Sequence, residues 1–99
     1  MNTLQTSDTK KAQVIDAILS SNISNDKKSK LLHAYELHLS IKTDEKIVRI
    51  NIHNQVAVKK TDKIVDRIIA KKEILSSLPD YVSILFTSIT GEKLTSQTI

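Results

Sequence analysis

Apolar residues recur at helical spacing through most of the chain, and one segment breaks the rhythm. Between Asp8 and Ser20 they fall at Ala12, Val14, Ile15, Ile18 and Leu19, which predicts a helix. Ser20-Ser21-Asn22-Ile23-Ser24-Asn25 interrupts it with side chains that compete for backbone hydrogen bonds. Ser24 or Asn25 is placed to cap a second helix over about 26–40, whose apolar face is Leu31, Leu32, Tyr35 and Leu39 with Ala34 alongside. These two segments read as a helical hairpin. Residues 1–7 read as a loose tail, and Thr43-Asp44-Glu45 as a polar joint.

Lys46 to His53 follows a different period. Val48, Ile50 and Ile52 alternate with Arg49, Asn51 and His53, which predicts a short strand with one apolar and one polar face. The polar face carries side chains suited to base edges: arginine to guanine, asparagine to adenine, histidine to either role. A single short strand cannot bury its apolar face alone, so it needs a partner strand.

Helical spacing resumes over about 55–72, where Val56, Val58, Ile64, Val65, Ile68 and Ile69 share the segment with Lys59, Lys60, Lys63, Arg67, Lys71 and Lys72. Residues 74–77 read as a turn. Ser77-Leu78-Pro79-Asp80 reads as a helix start, with a serine cap, proline in the first turn and an early acid. The last helix then spans about 78–89, with Leu78, Tyr81, Val82, Leu85, Phe86 and Ile89 on one face and Gly91 to end it. Residues 92–99 read as frayed.

Ninety-nine residues suit one small domain, and with three aromatic residues the core must rest on Ile, Leu and Val. Cysteine is absent, which rules out disulfides, thiol catalysis and cysteine-held zinc. The polar start, and the lack of any apolar run of bilayer length, make a cytoplasmic protein the expectation. Charge is uneven. Residues 1–45 carry six basic and six acidic side chains, whereas 46–99 carry nine basic and five acidic, so the whole net charge of +4 lies in the second half. That asymmetry points to a polyanionic partner there.

Catalysis finds little footing. Gly91 is the only glycine, so there is no phosphate-cradling loop, and no triad context organises the Ser, His and Asp residues. The expectation is a protein that is not an enzyme and takes no cofactor. His33 and His38 stand five apart, which is not a metal-binding helical spacing, and read as surface or half-buried side chains.

The order strand, basic helix with Thr61-Asp62, turn and capped helix ending Ile89-Thr90-Gly91-Glu92-Lys93-Leu94 resembles the ribbon-helix-helix DNA-binding family. Within that family it is similar to the methionine-repressor/Arc-like and plasmid ParR-like branches. The resemblance covers residues 46–91 only. It implies a homodimer in which two copies of the strand pair antiparallel and enter the major groove. Arg49, Asn51 and His53 would then contact bases. Lys46, Lys59, Lys60, Ser76 and Ser77 would contact phosphates. The fold expected is mainly α with one short strand: residues 1–45 a tail and helical hairpin for oligomerisation or partner contact, and residues 46–99 the DNA-binding unit. Burial of Ile50 in the ribbon implies that Ile50→Asp abolishes the dimer. The function implied is a transcriptional repressor or autoregulator, or a plasmid-maintenance factor, on double-stranded DNA. Pairing of Val48–Ile52 with Val56–Val58 inside one chain is the other strand arrangement.

An alternative of a different class stays open. The chain is also similar in size to bacteriocin immunity proteins, small four-helix interaction proteins. That reading needs residues 46–58 to be helical, against their alternation and β-branched residues.

Overall fold

The computed structural model describes the backbone of residues 3–94 and the side chains from Thr9 to Leu94. Four helices occupy it: α1 (Thr3–Ser20), α2 (Asn25–His53), α3 (Val58–Ser77) and α4 (Asp80–Thr90). There is no strand among the described residues, so the ribbon-helix-helix expectation is overturned, while mainly α holds. Neither the paired-strand ribbon nor the intrachain strand hairpin forms.

Lys46–His53 is instead the last two turns of α2, which passes through Thr43-Asp44-Glu45 without a break. Packing explains the choice. Ile41, Asp44, Val48 and Asn51 repeat at i, i+3, i+7 and i+10, one side of a helix, and all four are buried or half-buried. Of the three aliphatics expected to hide together, only Val48 is covered; Ile50 is 48% exposed and Ile52 67%. Strand preference at these residues gives way to tertiary contact, as it commonly does.

At 29 residues α2 is about 43 Å long, close to the 47 Å long dimension of the molecule. α1 and α4 pack against its first half, and α3 runs antiparallel to it along the second. The core sits where α1, α2 and α4 meet: Val14 and Ile18, then Leu31, Ala34 and Tyr35, then Val82 and Phe86. The Tyr35 and Phe86 rings lie 5.6 Å apart and tilted by 34°, the offset geometry that aromatic pairs favour.

The helix ends have identifiable causes. The Ser24 hydroxyl caps α2 by accepting from the Lys27 N–H at 3.2 Å. Gly91 closes α4 in the left-handed conformation (φ 77°), its N–H donating to the Thr87 carbonyl at 2.8 Å. The chain then turns back: Leu94 is buried, and Glu92 approaches Lys10 at 3.6 Å. Residues 92–94 are therefore anchored rather than frayed, and 95–99 lie outside the described residues. The expected serine cap of the last helix is not used. Ser77 ends α3, donating to the Ile74 carbonyl at 2.7 Å, and Pro79 precedes α4 in the cap position.

Between α2 and α3 the backbone makes a Schellman turn. The Val56 N–H donates to the Asn51 carbonyl at 2.9 Å and the Gln55 N–H to the Ile52 carbonyl at 3.2 Å. Gln55 holds the left-handed position, with φ 56°, that glycine usually fills. α3 accordingly starts at Val58, three residues later than the periodicity indicates.

Candidate functional site

The second half of α2 and the whole of α3 form a hairpin with a charged clasp at its middle and a bare end. The clasp is built on Asp44, whose side chain is 7% exposed. Its Oδ2 accepts from Lys71 Nζ at 2.7 Å and its Oδ1 from Arg67 Nη2 at 3.2 Å. Lys71 also donates to the Ser40 hydroxyl at 2.6 Å. Burial pushes the Asp44 carboxyl up, but the hydrogen bonds from Lys71 and Arg67 outweigh it and hold the group below its usual range. A lone buried carboxylate would be unfavourable; two cations one helical turn apart on α3 make it a fixed anion.

Glu45 and Lys72, 3.4 Å apart, join the two helices on one side of the hairpin. Helical spacing places Arg49 and Ile52 on the face of Glu45, and Val58 and Ile69 on the face of Lys72. His38, two turns before Glu45 on that same face, is buried and stacks on Tyr35 at 6.2 Å. Burial, reinforced by Lys42, pulls its imidazole below the ordinary histidine value. Toward the hairpin's free end three large aliphatics are uncovered. Ile52 is 67% exposed, Val58 72% and Ile69 50%.

Several side chains singled out from the sequence gather here. Lys46, Arg49 and His53 are exposed on the last turns of α2, with Lys59 and Lys60 exposed on the first turn of α3. Asn51 is half-buried on the α3 side of α2. Ser76 and Ser77 are exposed at the opposite end of α3, about 24 Å along the helix from Lys60. Arg49, Asn51 and His53 no longer form one strand face. Over residues 46–63 there are five basic side chains (Lys46, Arg49, Lys59, Lys60, Lys63) and one acid (Asp62). That surplus equals the +4 of the entire chain, so the remainder is neutral.

The clasp was not foreseen as a unit. Arg67 and Lys71 at i and i+4 carried a usable signal, since such a pair can grip one anion across a helix interface. No cluster of metal-ligating side chains occurs among the described residues, nor any helix long and apolar enough to cross a membrane. Comparison with known proteins finds no matching family model, no similar curated protein and no similar solved structure.

Proposed function

We propose that this chain is a small helical interaction protein, similar in size and helix count to bacteriocin immunity proteins, which works by binding and not by catalysis. Its working part is the free end of the α2–α3 hairpin, and we place it in the cytoplasm. The observation that carries the reading is that a hairpin pinned by Asp44 leaves Ile52 and Val58 bare at its free end. Aliphatic side chains on a braced projection gain most by being covered by something else. This reading asked for helix over residues 46–58; residues 46–53 are helical, while 54–57 form the turn into α3.

The test is protection. Cells sensitive to peptide bacteriocins are made to express the chain and challenged with a panel of such peptides. Survival against one of them is expected, and the double variant Ile52→Ser/Val58→Ser lowers it while melting at the same temperature. Killing by every peptide, or protection that the double variant leaves intact, contradicts the proposal.

The charge of residues 46–63 favours a second reading, in which Lys46, Arg49, Lys59 and Lys60 hold the phosphates of double-stranded DNA. Its mark is affinity for duplex DNA that falls steeply with salt and is indifferent to Ile52→Ser.

A further inference from the structure

We infer that the hairpin end docks on an anionic lipid surface, sinking Ile50, Ile52 and Val58 among the headgroups while Lys46, Arg49, Lys59 and Lys60 meet lipid phosphates. This deepens the reading above and rests on the hairpin end being the working part. Three observations converge. All of the chain's net charge sits on this end, beside three large aliphatics that are 48%, 67% and 72% exposed. Paired apolar and polybasic signals are what stable attachment to an anionic bilayer requires, since either alone binds marginally.

The second observation concerns direction. Ile50 and Ile52 are two residues apart on a helix, so they project to nearly opposite sides of α2. A folded partner or a DNA groove covers one flank of such an end. A lipid layer surrounds it and covers both. Phosphate alone would leave the aliphatics unburied, which is why lipid is favoured over nucleic acid.

The third is reach. From Asp44 to His53 the helix extends about 13 Å past the clasp. Interfacial segments sink roughly 5–10 Å into the headgroup region. The bare end can therefore enter while Asp44 and the core stay clear of the bilayer.

The full chain is sedimented with vesicles of phosphatidylcholine alone and of equal parts phosphatidylcholine and phosphatidylglycerol. Binding is expected to the second only. Lys59→Gln and Lys60→Gln each weaken it roughly fivefold. Ile52→Ser/Val58→Ser removes most of it without loss of helix by circular dichroism. Val58→Trp, in a chain without other tryptophan, shifts its emission to the blue on the anionic vesicles. Absence of binding overturns the proposal. So does binding that the serine pair leaves unchanged with no blue shift, which is adsorption by charge alone, and so does a preference for duplex DNA or an acidic protein with no vesicle binding. The two readings fail separately. Vesicle binding without protection removes the immunity reading, and protection without vesicle binding removes lipid docking.

Discussion

Lys71 Nζ lies 2.7 Å from Oδ2 of Asp44, 27 residues earlier in the sequence, a carboxylate sealed between two helices. This contact and the Arg67 bond together hold α3 against α2 at Asp44. Removing Asp44 leaves Lys71 beside an empty polar site, although Lys71 keeps Ser40 and partial access to water. Breaking a fully buried pair costs about 3–5 kcal/mol, and the exposure of the cations here brings the expectation for Asp44→Ala to about 2 kcal/mol. Arg67, with 56% of its side chain exposed, contributes under about 1 kcal/mol, so Arg67→Ala is the milder change. Urea denaturation of both variants measures the difference; equal losses would mean that Lys71 is not the stronger partner.

The pH dependence of stability has two separate sources. The Asp44 pKa is lower folded than unfolded, so the unfolded chain takes up the proton first as pH falls. Its contribution is complete above about pH 5 and fades as pH drops through roughly 4 and below. The His38 pKa is also lowered in the fold, by burial first and Lys42 second. Again the unfolded state is protonated first, so stability starts to fall below about pH 6.5, at a higher pH than the Asp44 loss. His38→Gln is expected to flatten the upper part of the acid limb and Asp44→Asn the lower part. Melting temperature against pH reads both; a His38→Gln profile identical to that of the parent contradicts the histidine assignment.

Gln55 occupies a left-handed backbone position at φ 56°. For a side chain with a Cβ this conformation costs roughly 1–2 kcal/mol, part of which glycine returns as unfolded-state entropy. Gln55→Gly is expected to raise stability by about 0.5–1 kcal/mol, and Gln55→Val to lower it, because a branched Cβ suits the position least. If glycine destabilises the chain in urea, the turn is not the one described.

Much of the helical framework was readable in advance. Spacing alone puts Ile18, Leu31, Tyr35 and Phe86 on apolar faces and all four are buried, while Ser24 caps the start of α2 and Gly91 ends α4 as their chemistry suggests. At residues 46–53 the pattern misleads for a specific reason. The helix stripe there runs through Asp44 and Asn51, so its packed side is half polar and carries no apolar period. The outward Ile50 and Ile52 supplied a false alternation in its place. The turn was hidden as well, since glutamine at the left-handed position is not a sequence signal. At the hairpin end, Lys46, Arg49, Lys59 and Lys60 were picked out by charge, whereas the clasp was missed because its anion looked like a linker residue.

Ile50→Asp separates the two geometries. A ribbon would be destroyed by an acid at its centre. In the observed fold Ile50 is 48% exposed on a helix surface, and the substitution is expected to cost about 1 kcal/mol or less. Ile18→Asp, at a fully buried position, is expected to prevent folding, since an unpaired buried charge exceeds what a domain this small tolerates. Thermal melts of the pair suffice; an unfolded Ile50→Asp variant would show that Ile50 is packed.

The most direct measurement is the set of backbone 13Cα chemical shifts of Lys46 to His53 in the full chain. Displacement toward helical values at all eight residues, continuous with Ile41 to Glu45, is expected. Displacement toward extended values from Ile47 onward would remove the hairpin, and with it the exposed end on which the binding proposals rest.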